Sequence, residues 1–184
     1  MHKVFISGSM RIKNLDENVL DRINNIINSN YQVIVGDADG VDSSIQKYLT
    51  STETKSVLVY CSGDKPRNNL GHWNTEVTET SAPPGTRAFF TAKDLKMAED
   101  CDYGLMVWDT KSTGTLSNTI ELLKRKKISL VYINKAKEFL KVKEIIDLEK
   151  LVSYMSDSAF EKADKKLNLR EKIEHFKHEQ SSLF

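Results

Sequence analysis

Cysteine, proline and excess charge are all scarce in this chain. Its 184 residues include two cysteines and three prolines, and 27 basic side chains offset 26 acidic ones to leave a net charge of +1. Two cysteines without a Cys-x-x-Cys spacing exclude a disulfide framework and disfavour a zinc site. The near-neutral charge excludes a global field that draws the chain to nucleic acid or membrane. We therefore expect a cytoplasmic protein.

Long apolar runs are also missing, and so are internal repeats. The sequence has no stretch of membrane-spanning length and no signal-peptide core. It is 39% hydrophobic and 29% charged, which is typical of a soluble globular protein. A chain of this length buries a hydrophobic core without needing disulfides or metals.

Short β-branched runs alternate with residues at helical spacing. The pattern predicts strands at 3–7, 31–35, 56–60, 103–108 and 128–134. It predicts helices at 16–28, 41–49, 89–101 and 115–125. This alternation indicates an α/β fold with a Rossmann-like open parallel sheet and helices on both faces, because parallel neighbours need long crossovers. We assign this domain to residues 1–150.

Three segments depart from the alternation. Residues 64–87 contain all three prolines and little periodicity, so we predict a long loop that serves as a lid or binding loop. Residues 135–147 are mixed and suit one more short element. Residues 151–184 are strongly charged with a thin apolar stripe, which predicts a helical C-terminal extension.

The first predicted strand ends in small and polar residues, namely Ser7, Gly8 and Ser9, and Arg11 follows. Glycine lets the backbone approach a ligand, and hydroxyls with exposed amides suit phosphate oxygens. Arg11 adds a planar, charged guanidinium group, which also suits a phosphate. The segment is not a Gly-x-Gly-x-x-Gly fingerprint, and an ordinary strand-to-helix turn is the alternative.

A second glycine-containing segment follows the second predicted strand. It contains Gly36, Asp37, Ala38, Gly40 and Asp42. The two glycines favour close approach of the backbone to a ligand. Asp42 opens a helix and suits either an N-terminal cap or a hydrogen bond to a ribose hydroxyl.

The third segment follows the fourth predicted strand and begins at Asp109. Its candidate ligand-binding residues are Ser112, Thr113, Gly114, Thr115 and, one turn later, Asn118. Hydroxyls and unsatisfied amides at a helix N-terminus form a favourable anion site. A well-capped helix start is the alternative, but these hydroxyls exceed what one cap needs. In the long loop, Arg67 is a further candidate for holding phosphate.

These three segments, in this order, resemble the SLOG superfamily of Rossmann-like proteins. That group includes LOG-type phosphoribohydrolases, DprA-like DNA-processing proteins and the YspA/YpsA-like branch, which this chain resembles most. The resemblance covers about residues 3–134, and Lys93 with Asp94 stands where LOG proteins have an Arg-Lys pair. It implies binding or sensing of a nucleotide or nucleotide derivative, with the phosphate on the strand-end loops and Lys93 among the ligand contacts.

The LOG resemblance also implies an alternative, hydrolysis of the N-glycosidic bond in nucleoside 5′-monophosphates. However, Asn118 stands where LOG enzymes have a glutamate, and an amide cannot act as a carboxylate base. If the chain is an enzyme, we expect Asp94, Asp109 or Glu121 to supply the carboxylate. No metal or other cofactor is predicted besides the nucleotide ligand.

The chain ends in Gln180-Ser181-Ser182-Leu183-Phe184. This resembles the peptides with which bacterial proteins dock on the DNA polymerase sliding clamp, where Gln180 would fix the register and Leu183 and Phe184 would anchor. It implies a third function, that of an adaptor in DNA metabolism. Alternatively, the terminal pair caps the apolar stripe or contacts a second copy, and we expect a homo-oligomer.

Overall fold

The computed structural model describes residues 1–182. Within them, the strands are β1 Lys3–Gly8, β2 Gln32–Gly36, β3 Val57–Ser62, β4 Asn74–Thr78, β5 Tyr103–Trp108, β6 Ile128–Ile133 and β7 Glu138–Val142. The helices are α1 Glu17–Asn28, α2 Val41–Ser51, α3 Arg87–Asp100, α4 Thr113–Lys124, α5 Ile145–Val152, α6 Asp157–Leu167 and α7 Leu169–Ser181.

The seven strands form one sheet in the order β4-β3-β2-β1-β5-β6-β7. Every neighbouring pair is parallel except β6 and β7, so the expected parallel sheet carries one antiparallel edge strand. The chain builds outward from β1 to β4 and then crosses back to β5 on the other side of β1. The carboxyl ends of β1 and β5 therefore form the switch point at which open α/β sheets bind ligands.

Helices cover both faces of the sheet, which confirms the predicted Rossmann-like α/β fold. Helices α1 and α2 bury Val19, Ile23 and Ile45 against one face. Helices α3 to α7 line the other face, where Ala163 and Ile173 of the C-terminal helices join the same hydrophobic cluster as the sheet residues. Because both faces are covered, the inner strands are continuous apolar runs, as the sequence has them.

The prediction of one long loop over residues 64–87 is wrong, because β4 lies inside it and α3 begins at its end. Strand β4 pairs with β3 in parallel from Asn74 opposite Leu58 to Thr78 opposite Ser62. It is an edge strand, and no residue in it is fully buried. An exposed edge strand needs no apolar face, so hydrophobic periodicity does not detect it.

The mixed segment 135–147 contains β7 and the start of α5. At the C-terminus, Gln180 lies in the exposed last turn of α7, whereas Leu183 and Phe184 lie outside the described residues. Across residues 1–182, none of the helices combines the length and the apolar character that a membrane span requires.

Candidate functional site

Hydrogen bonds join the first and third predicted segments at the switch point. The Ser9 amide donates to the Val107 carbonyl at 2.9 Å, and the Asp109 amide donates to Ser9 Oγ at 3.0 Å. Ser9 Oγ also lies 3.5 Å from Thr115 Oγ1. A buried serine from β1 therefore meets the start of α4, as expected for two neighbouring parallel strands.

The N-terminus of α4 carries several polar groups within a few ångströms of one another. Ser112 caps the helix, and Thr115 Oγ1 donates to Ser112 Oγ at 3.1 Å. The amides of Thr113 and Gly114 donate to no acceptor within residues 1–182. A Cβ at Gly114 would meet only Ser112 Oγ, at 4.0 Å, so the space beside these amides is open. Free amides and the helix dipole together favour an anion here.

Asn118 lies one turn further along α4 and is 93% buried, since its relative exposure is 7%. Its side-chain amide hydrogen-bonds to no residue in the described part of the chain. No polar atom of Asn118 is both fully buried and unpaired, so its amide reaches the surface and is open to a ligand or water.

The turn between β5 and α4 holds Thr110 in the left-handed region at φ 65°. A β-branched residue rarely adopts this conformation, and such strain concentrates at ligand-binding sites. Asp109 stabilises the turn, because its Oδ1 accepts from the Lys111 and Ser112 amides at 2.9 and 2.7 Å. The sequence gives no sign of this strain.

Gly8 is required by packing between strands. A Cβ at Gly8 would stand closer than 3.0 Å to the carbonyl oxygen of Val107 on β5. We expect Gly8→Ala to lower the free energy of unfolding by about 2 kcal/mol or more, because overpacking against backbone forces the strands apart. Urea denaturation measures the loss, and an unchanged midpoint would contradict the crowded contact.

The second predicted segment brings its glycines into two close contacts. Gly40 has φ 78°, and a Cβ there would overlap the backbone of Met10, so the loops after β1 and β2 touch. At Gly36, a Cβ would lie 2.5 Å from Asp42 Oδ2 and 2.8 Å from Lys93 Nζ. The absent side chain of Gly36 leaves room for a buried group of charges.

We call the residues over Gly36 the acidic cluster: Asp37, Asp42, Asp94 and the ammonium of Lys93. Lys93 Nζ lies 2.7 Å from Asp94 Oδ1 and 4.0 Å from Asp37 Oδ1. The side chains of Lys93 and Asp37 are 4% and 3% exposed, whereas Asp94 is 23% exposed. A lysine buried among carboxylates is costly to desolvate, and buried charged groups of this kind cluster at functional sites.

Burial and charge set the protonation of the acidic cluster. Burial raises the pKa of Asp42 to about 7, and the positive charge of Lys93 only partly opposes this effect. Burial also disfavours ionised Asp37, but hydrogen bonds from Arg67 and the charge of Lys93 outweigh it and lower the pKa. For Lys93, the charges of Asp94 and Asp42 outweigh burial and raise the pKa.

Asp42 is not the N-terminal cap of α2. The cap is Gly40, and Asp42 lies inside the first turn, where its Oδ2 accepts weakly from the Ala38 amide at 3.4 Å. Its Oδ1 is fully buried without a hydrogen-bond partner in the described chain. Charged atoms in this situation are costly, which explains the raised pKa.

Arg67 does not lie free to clamp phosphate, because its guanidinium binds Asp37. Nη2 donates to Asp37 Oδ1 at 2.7 Å, and Nε donates to Oδ2 at 3.1 Å. The guanidinium also stacks on Phe90, with Cζ 4.4 Å from the ring centroid. The ion pair holds the loop after β3 against the end of β2, and the stacking holds it against α3.

Gln46 is a buried residue of this region that the sequence reading missed. Its Nε2 donates to the carbonyls of Gly36 and Asn68, and its Oε1 accepts from the Leu70 amide. Helical spacing gives no signal for this residue, because Gln46 lies about 100° around the helix from Ile45 and off the apolar face. Its burial is possible because all of these contacts are hydrogen bonds to the backbone.

The remaining candidates are scattered. Ser7 is buried in β1, Ala38 is partly buried beside Asp42, and Arg11 is exposed. Glu121 forms an ion pair with Arg125 further along α4. At about 1.5 Å per helical residue, Glu121 lies roughly 13 Å beyond Ser112 and away from the site. Among the described residues, no group of three or more His, Cys, Asp or Glu side chains is arranged to hold a metal ion.

Comparisons with known proteins assign no family to this chain. Family models, curated proteins and solved structures all gave no match to this chain. The resemblance to the SLOG superfamily therefore stays a prediction from three short segments. What the structure itself provides is a Rossmann-like switch point, a helix start with free amides and clustered hydroxyls, and a buried acidic cluster two strands away.

Proposed function

We propose that this chain binds a nucleotide or nucleotide derivative as a sensing module, with the phosphate at the N-terminus of α4. The observation that carries the proposal is the convergence of Ser9, Ser112 and Thr115 hydroxyls with the free amides of Thr113 and Gly114. This convergence stands at the switch point of the sheet, where ligands of open α/β folds bind.

The spacing between the two parts of the site supports a nucleotide. The helix start follows β5, and the acidic cluster lies over the end of β2, two strands away in the sheet. Adjacent strands are about 4.8 Å apart, so the two parts stand roughly 10 Å from each other. A phosphate alone fills one part, whereas a nucleotide reaches both.

The carboxylates near the phosphate position support binding over hydrolysis. Asp109 is engaged by two backbone amides of its own turn, and Glu121 is paired with Arg125. Asn118 stands where a LOG-type enzyme has its glutamate and cannot accept a proton from water as a base.

Thermal unfolding tests the proposal. Phosphate, AMP, GMP, CMP and UMP are each added at millimolar concentration, and the melting temperature is measured. At a ligand concentration about 100 times its Kd, we expect a rise on the order of 5 °C with at least one nucleotide. No stabilisation by any of these compounds would overturn the proposed function.

Gly114→Ala is a site variant that keeps the fold. The new methyl group meets no close neighbour, so we expect equal or slightly higher stability without ligand. The methyl group projects into the proposed phosphate position, and nucleotide affinity should fall about 10-fold, or 1.4 kcal/mol. Lys124→Ala, at the far end of the same helix, is the matched control and should bind as the wild type does. Unchanged affinity in Gly114→Ala would place the phosphate elsewhere.

A further inference from the structure

The acidic cluster has more hydrogen-bond acceptors than donors. Three carboxylates face one ammonium, and the nearby guanidinium of Arg67 is already bound to Asp37. Asp42 Oδ1 is fully buried and unpartnered in residues 1–182. A site in this condition attracts a ligand group that donates hydrogen bonds, because unsatisfied buried acceptors are costly.

Asp94 is the carboxylate of the cluster that a ligand reaches. The side chain of Asp37 is only 3% exposed, and Arg67 donates hydrogen bonds to both of its oxygens. Asp42 is buried within α2. Asp94 is 23% exposed, its Oδ1 accepts from Lys93, and its Oδ2 accepts from no donor in the described chain.

A neutral donor suits this position better than a charged group. A second phosphate would meet the carboxylates of Asp37 and Asp94 and be repelled, and Lys93 already supplies the cation between them. In Rossmann folds, an acidic side chain at the end of the second strand holds a ribose hydroxyl. Here the corresponding residue, Asp37, is closed off by Arg67, and Asp94 of α3 stands beside it.

We infer that Asp94 accepts a hydrogen bond from a ribose hydroxyl of the ligand, with Lys93 as the residue that positions its carboxylate. The inference rests on the proposed nucleotide function and adds a sugar class, a ribonucleotide over a 2′- or 3′-deoxynucleotide. The buried ammonium of Lys93 holds Oδ1 and leaves Oδ2 without a donor in the described chain.

Titration calorimetry with matched nucleotides tests the inference. AMP is compared with its 2′-deoxy and 3′-deoxy forms on the wild type, Asp94→Ala and Asp94→Asn, and inorganic phosphate serves as a second probe. If another nucleotide gave the larger thermal shift, its ribo and deoxy forms are used. Glu99→Gln, an exposed carboxylate further along α3, is the control that makes the same change in charge.

The wild type and Glu99→Gln should bind the ribonucleotide at least about 10-fold more tightly than one of the deoxy forms. The deoxy form lacks the hydroxyl that donates a hydrogen bond to the charged Asp94 carboxylate. Asp94→Ala should reduce that ratio to below about 3-fold while phosphate binding is unchanged. Asp94→Asn keeps an acceptor for Lys93 and protects the fold if the alanine variant is unstable.

Two results would overturn the inference, and they are distinct from failure of the proposed function. Equal affinity of the wild type for the ribo form and both deoxy forms would show that no hydroxyl is read. A ratio that survives in both Asp94 variants would show that another residue reads it. Failure of phosphate and every nucleotide to bind would overturn the proposed function and this inference together.

Discussion

Lys93→Met is expected to lower the free energy of unfolding by about 3–5 kcal/mol, because it leaves buried carboxylates without their cation. The Lys93 side chain is 4% exposed and faces Asp37, Asp42 and Asp94. Methionine fills a similar volume, so the loss reports the charge and not a cavity. Much of the lost stability should return at low pH, where the carboxylates take up protons.

Lys96→Met on the same helix is the matched control for this experiment. Lys96 forms two ion pairs at the surface, with Glu99 and Asp100, and its side chain is 38% exposed. Exposed pairs contribute about 0–1 kcal/mol, so urea denaturation should separate the two variants clearly. Equal losses in both variants would mean that the buried ammonium does not stabilise the cluster.

Asp42→Asn is expected to remove a pH dependence from the stability of the fold. The pKa of Asp42 is about 7 in the folded protein, against an ordinary value of 3.8. Between these values the folded state keeps a proton that the unfolded chain has lost, so Asp42 makes the protein less stable as pH rises. The penalty is absent below about pH 4, is complete above about pH 7, and amounts to about 2–4 kcal/mol.

The measurement is the difference in unfolding free energy between Asp42→Asn and the wild type, from urea denaturation at several values of pH. That difference should move in favour of the asparagine variant as pH rises from 4 to 8. Asp39→Asn, an exposed carboxylate of the same loop, is the control. A difference that stays constant across this range would contradict a protonated Asp42.

The sequence was sufficient to predict which strand ends carry the candidate site but not to assign the contacts between them. The predicted parallel sheet places the three strand-end segments at one edge, and the structure brings the hydroxyls of Ser9 and Thr115 to 3.5 Å from each other there. The ion pair between Arg67 and Asp37 was not predicted, because the two residues are 30 positions apart in sequence. No local pattern shows which carboxylate an arginine reaches after the chain folds.

The close contact at Gly8, the edge strand β4 and the burial of Lys93 could not be predicted for the same reason. Gly8 fits a phosphate loop by its local sequence, yet the oxygen that crowds it belongs to Val107 on another strand. Edge strand β4 escaped detection because a strand with one partner and exposed faces carries no apolar alternation. Lys93 lies one turn before buried Met97, and that spacing was the sole hint of its burial.

The sequence by itself determined the α/β alternation, the covered sheet and the three strand-end segments, because hydrophobic spacing and glycine breaks are local properties. Only the tertiary structure decided that β4 completes the sheet, that Arg67 closes off Asp37, and that Lys93 stands among three carboxylates. These features depend on contacts between residues distant in sequence and on burial, which changes the energy of a charge by several kcal/mol. Neither the distant contacts nor the burial can be inferred from the residues of a single segment.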